Sequence, residues 1–126
     1  MCIRDRMATI HANTPRECLH RIEMLAGFAG FQGSESSLRR QIAGALDFIV
    51  QIGRLSNGRR RIVSITEITG VGDNIITTQE LYRHESFNAP DGEEKDRWVS
   101  LGIQPHSPKL KRRQISPNGS NLQKRN

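Results

Sequence analysis

The sequence predicts an α/β chain in which a short strand and two helices lead into a three-stranded antiparallel meander. Three observations carry this reading. A helix-start signal stands at Thr14-Pro15-Arg16-Glu17, the apolar period changes from helical to alternating after Asp47, and Asn57-Gly58 separates two β-branched runs.

Each element follows from local chemistry. Residues 7–11, MATIH, read as a short strand. Thr14 then supplies an N-cap hydroxyl, Pro15 fits the first helical position because its missing N–H is no loss there, and Glu17 completes a capping box. The helix runs to about Ala26, with Cys18, Ile22, Leu25 and Ala26 on its apolar face and Arg16, His20 and Glu23 on its polar one. It stops in the glycine-rich stretch GFAGFQGSES. A second helix is expected from about Ser36 to Leu46, capped by Ser34 or Ser36, with Leu38, Ile42, Ala45 and Leu46 inward and Arg39, Arg40 and Gln41 outward.

Beyond Asp47 the pattern is extended. FIVQIGRL and RRRIVSITEIT flank Asn57-Gly58, the residue pair that accepts positive φ in a tight hairpin. Val71-Gly72-Asp73-Asn74 makes the next turn, and IITTQELYRHE alternates as a third strand. The chain divides into a possible extraneous leader (1–6), the patterned unit (7–87), a linker and short C-terminal segment (88–105), and a basic tail (106–126) that reads as disordered.

The charge distribution restricts the function. Residues 1–105 hold 13 basic and 13 acidic side chains, whereas 106–126 hold 6 and 0, so the net charge of +6 belongs to the tail. A balanced body gives no sign of a nucleic-acid surface, which needs a patterned basic stripe to displace condensed counterions. Cys2 and Cys18 show no metal-ligand or redox spacing, and no segment resembles a secretory leader or a membrane-spanning run, so a cytoplasmic setting is expected.

Phosphoryl transfer on a P-loop scaffold needs a glycine-rich loop ending in Lys-Ser or Lys-Thr. The chain has none; its first lysine is Lys95, in an acidic stretch. Autonomous ATP hydrolysis is therefore not expected. His11, flanked by Thr9 and Asn13 at a strand end ahead of a helix start, is the residue most suited to chemistry, although spacing alone favours an ordinary structural imidazole.

The segment MATIHANTPRECLHRIEMLAG resembles the second half of the His box of the type II/IV secretion ATPases, most closely the Tad/Flp pilus (CpaF-type) branch. The likeness continues in order through Arg21-Ile22-Glu23-Met24, Arg40-Gln41-Ile42-Ala43, Phe48-Ile49-Val50, Arg54 to Arg60, Ile65-Thr66-Glu67-Ile68 and Ile76 to Tyr82. It weakens over 84–105, where Leu101-Gly102-Ile103-Gln104-Pro105 is similar to a family ending, and the tail has no counterpart. The family's opening Gly-His pair, Walker motifs and N-terminal domain have no match, so the resemblance implies a C-terminal fragment.

The resemblance further implies the C-terminal part of a RecA-like P-loop ATPase domain. His11 would sense the γ-phosphate, Thr9 and Asn13 would hold its loop, and Arg54 would reach nucleotide. ATP and Mg²⁺ would be the parent's cofactors. Its partners would be a homo-hexamer and an inner-membrane platform protein, with no specific nucleic acid, and its location cytoplasmic and peripheral at the inner membrane. Arg59, Arg60 and Arg61 read as solvated edge charges. Glu23 and Glu67 read as packing residues paired with Arg21 or the hairpin arginines. Alternatives are a type IV secretion or conjugation ATPase fragment, and a small nucleic-acid-binding module that uses the basic tail.

Overall fold

A computed structural model describes residues 7–106; the leader 1–6, Cys2 and the tail beyond His106 lie outside the described residues. Two helices, α1 (Pro15–Phe28) and α2 (Glu35–Ala45), precede four strands, β1 (Phe48–Arg54), β2 (Arg60–Gly72), β3 (Ile75–Asn88) and β4 (Glu94–Ser100). The strands form one antiparallel sheet in the order β1-β2-β3-β4. The chain is thus α/β in composition with a wholly antiparallel described sheet.

The helix caps are those that the sequence specifies. Thr14 Oγ1 accepts from the Glu17 N–H at 3.1 Å, and Glu17 Oε2 accepts from the Asn13 N–H at 2.9 Å, closing the box. Ser34, not Ser36, caps α2, accepting from the Ser37 N–H at 3.2 Å. Both helices cover one face of the sheet, where Leu19, Ile42, Ile49, Ile68 and Ile76 form the core and Cys18, Ile22, Leu38 and Leu46 pack around them. The inward stripe of α1 is rotated from the expected one. Leu19 is buried, while Leu25 and Phe28 are exposed, because the helix meets the sheet through its first two turns.

Residues 7–11 do not form the expected strand; they run without regular structure into α1. A strand exists only through a ladder partner, and no described element offers one to this segment. The turns differ as well. Asn57 does not take positive φ: Gly58 alone does, at 79°, in a loop closed by Gly58 N–H to the Leu55 carbonyl at 2.9 Å. The pair of left-handed residues is instead Asp73 (φ 49°) and Asn74 (φ 59°), which join Gly72 directly to its partner Ile75. The stretch after Asn88 is a third hairpin: Gly92 N–H bonds to the Ala89 carbonyl at 2.8 Å, and β4 returns along β3 from Glu94 to Ser100. The meander therefore has four strands rather than three.

Three extra residues interrupt the pairing. Val63 is unmatched between β1 and β2, and Thr69 and Leu81 are unmatched between β2 and β3. Each bulge moves the following side chains to the opposite face. Pairing of β2 with β3 ends at Ser64 opposite Arg83. Past that point the sheet forks into a β1/β2 ribbon reaching Arg54 opposite Arg60 and a β3/β4 ribbon reaching Asn88 opposite Glu94.

The register gives a sharp test. Ile76 is 3% exposed in the core and its neighbour Ile75 is 54% exposed. Ile76→Ala should lower the unfolding free energy by about 3 kcal/mol, whereas Ile75→Ala should change it by less than about 0.5 kcal/mol, both read from urea midpoints.

Candidate functional site

The loop carrying Thr9, His11 and Asn13 is exposed but anchored at two points. Gln51 Nε2–H, from the helix-side face of β1, donates to the Ala12 carbonyl at 2.8 Å. One residue on, the Asn13 N–H is held by Glu17. The His11 imidazole is thereby presented to solvent from a fixed backbone, next to the start of α1. Arg54 is exposed three residues beyond Gln51 on β1, so its backbone lies about 10 Å further along the strand from the anchor. Thr9, His11 and Asn13 share one loop; Arg54 stands apart at the ribbon tip.

Glu17 ties this loop to α1. The Asn13 N–H, with Arg21 at 3.1 Å, holds its carboxyl below the ordinary carboxylate value. A lowered folded-state pKa means that the anchor is complete above the ordinary Glu range and is lost as pH falls through the lowered value. Cys18, half-buried on the core side of α1, has its thiol pKa raised by burial, which disfavours the reactive thiolate.

Two acidic residues have partners that the sequence did not indicate. Glu23 pairs with Arg39 of α2 at 3.0 Å, not with Arg21, which pairs with Glu17. Arg39, expected to face outward, turns inward and also donates to the Asn74 carbonyl at 2.9 Å, tying both helices to the β2–β3 turn. A cleft of about 280 Å³ lies here, with Arg16 donating to the Ile76 carbonyl at 3.2 Å. Its cations are engaged in holding the fold together.

Glu67 is 1% exposed, the most buried large side chain described. It lies on the sheet face away from the helices, beneath residues 101–106. Its Oε2 accepts from Gln79 Nε2–H on β3 and from the His106 N–H at 2.9 Å. One step past the Tyr82–Ser100 pair, the Leu81 carbonyl accepts from the Leu101 N–H at 3.0 Å. The end of the described chain is thus strapped across the sheet at both its start and its finish. Neither composition nor period reveals this; the available signal is an acid amid the β-branched run Ile65-Thr66-Glu67-Ile68.

Thr9, His11 and Asn13 place an exposed hydroxyl, imidazole and amide, each able to donate a hydrogen bond, on one anchored loop. Among the described residues no group of three or more His, Cys, Asp or Glu could hold a metal ion. No described helix is long and apolar enough to cross a membrane.

Two measurements probe these contacts. The exchange protection of the Asn13 amide, taken relative to its intrinsic rate, should fall as pH is lowered through the acid range, and Glu17→Gln should abolish that dependence. Glu67→Ala leaves two part-buried donors, Gln79 Nε2–H and the His106 N–H, without this acceptor and should cost about 2 kcal/mol with loss of exchange protection at His106; Glu67→Gln should cost less.

No protein-family model matches the chain, and no curated protein matches it.

Proposed function

We propose that this chain supplies the nucleotide-sensing portion of a RecA-like motor ATPase that powers pilus assembly or protein secretion, and that it does not hydrolyse ATP by itself. The observation that carries the reading is the anchored, solvent-facing His11 loop directly ahead of a boxed helix start. An imidazole can donate one hydrogen bond and accept another, which suits it to report whether a γ-phosphate is present. Because the loop is fixed through Gln51 to β1 and through Glu17 to α1, a displacement of His11 is transmitted to both elements.

The order of the family-like segments supports the same reading, for each falls on its own element. Arg21-Ile22-Glu23-Met24 lies on α1, Arg40-Gln41-Ile42-Ala43 on α2, Phe48-Ile49-Val50 on β1, Ile65-Thr66-Glu67-Ile68 on β2 and Ile76 to Tyr82 on β3. In such a motor residues 7–11 gain a strand partner from the parallel part of the sheet, and ATP and Mg²⁺ are held by a phosphate-binding loop and acids of the whole protein. A homo-hexamer working on an inner-membrane platform protein is the assembly this proposal entails.

The 126-residue chain should show no ATP turnover above a buffer blank in a phosphate-release assay. Joined in frame to a Walker A and Walker B region read from the adjoining gene sequence, it should hydrolyse ATP. There His11→Ala should lower kcat by roughly 100-fold, the size of removing one positioned transition-state donor, with an unchanged thermal midpoint. An adjoining reading frame without a Walker A sequence, or full activity of His11→Ala, overturns the proposal.

A further inference from the structure

The sheet face away from the helices is left open over its forked half. Cross-strand partners share a face, so the register places Ile52 beside Ile62 on one ribbon and His84 beside Trp98 on the other. Two residues nearer the tips, Arg54 stands beside Arg60, and Ser86 beside Asp96. Ile52 is 61% exposed, Trp98 47% and Ile62 39%. Among the described residues neither Arg54 nor Arg60 forms an ion pair. Asp96 accepts from the Ser86 hydroxyl at 3.1 Å and, among the described residues, pairs with no lysine or arginine.

The bulge at Val63 builds the basic side of this face. It brings Ile62 and Arg60 alongside Ile52 and Arg54; an unbroken ladder would present Val63 and Arg61 instead. Gly53 makes the shift possible, for a Cβ there would lie 2.9 Å from Val63 Cγ1. The arrangement is unfavourable in isolation, because Arg54 and Arg60 repel across the ladder while branched aliphatics and an indole are left in water. A partner that sets an acid against the arginines and apolar matter against the isoleucines relieves both.

We propose that this face is a homodimer interface, two copies packing fork on fork about a two-fold axis that runs parallel to the strands between β2 and β3. That rotation lays β1 of one copy on β4 of the other and β2 on β3, with both forks at the same end. Arg54 then faces Asp96 of the second copy and Ile52 faces its Trp98, each contact occurring twice. The face is its own complement in charge and in apolar matter, which selects a second copy over a partner of either single charge. Packed sheets keep their strands within about 30° of one another. The other aligned arrangement, with the axis across the strands, would seat each fork on the strap over Glu67 and take Asp96 out of reach of Arg54. The contact closes at two copies, so it differs from the head-to-tail contacts of a ring and stands independently of the function proposed above.

The test is sedimentation equilibrium of the full chain at about 0.1 M and about 0.5 M salt, up to about 1 mM protein. Monomer and dimer should be the species present, the dimer weaker at the higher salt. Arg54→Glu or Asp96→Lys alone sets like charges against each other in both contacts and should weaken dimerisation at least about tenfold. An equimolar mixture of these two variants should restore it, because contacts between the unlike chains again join opposite charges. Ile52→Ser with Trp98→Ser should weaken it at either salt. All four positions are exposed, so thermal midpoints should stay within a few degrees of the parent. A chain that stays monomeric, a dimer indifferent to the single charge reversals, or a mixture that fails to recover overturns the proposal. So does association that is lost only when Lys109, Lys111, Arg112 and Arg113 of the tail are replaced by Gln.

Discussion

Strand β2 is the reference to which β1, β3 and α2 are set, and its ladders are broken by unmatched residues on both sides. Through Ile68 it meets the helices; through Glu67, the next residue back, it receives the C-terminal strap; through Ile62 and Arg60 it forms one wall of the outer ribbon. A strand alternates its side chains strictly, so one unbroken β2 could not satisfy these demands along its length. The extra residues Val63 and Thr69 reset the alternation where the neighbouring environment changes.

The apolar core is small, and polar ties supplement it at the periphery. Arg39 joins α2 to α1 and to the β2–β3 turn, Arg16 joins α1 to β3, and Gln51 joins β1 to the His11 loop. Each tie ends on a backbone carbonyl or a partly shielded carboxylate, where a donor fixes position more than it adds stability. Glu67 differs, since a carboxylate withdrawn from water is tolerated only with its hydrogen bonds made. The strap is therefore coupled to the sheet by necessity as well as by contact.

Much of the fold was legible in the sequence wherever a residue type has one strong local use. Thr14, Pro15 and Glu17 could hardly mark anything but a helix start, and the change of period after Asp47 announced the sheet. Strand β4 escaped because both faces of its ribbon meet solvent, so EKDRWVS carries no alternation; the turn chemistry of Pro90-Asp91-Gly92 was the clue that read as linker. The rotation of α1 onto Leu19, the inward turn of Arg39 and the burial of Glu67 depend on which surface each residue meets, and that is tertiary information. Of the candidate site, His11 and its neighbours could be named in advance; their anchors, Gln51 and the Asn13–Glu17 bond, could be placed only in part.

The fork past Ser64 and Arg83 separates charge as well as chain. One ribbon, residues 50–62, holds a formal +4, while the other, residues 85–97, holds five acids and two bases. Both project from the same end of the sheet, so the protein carries a lateral electric dipole at that end. In the field of a negatively charged surface such a dipole experiences a torque before any contact forms, turning the arginine prong inward and the acidic prong outward. Orientation on approach is then set at a range of about 10 Å, the screening length at moderate salt.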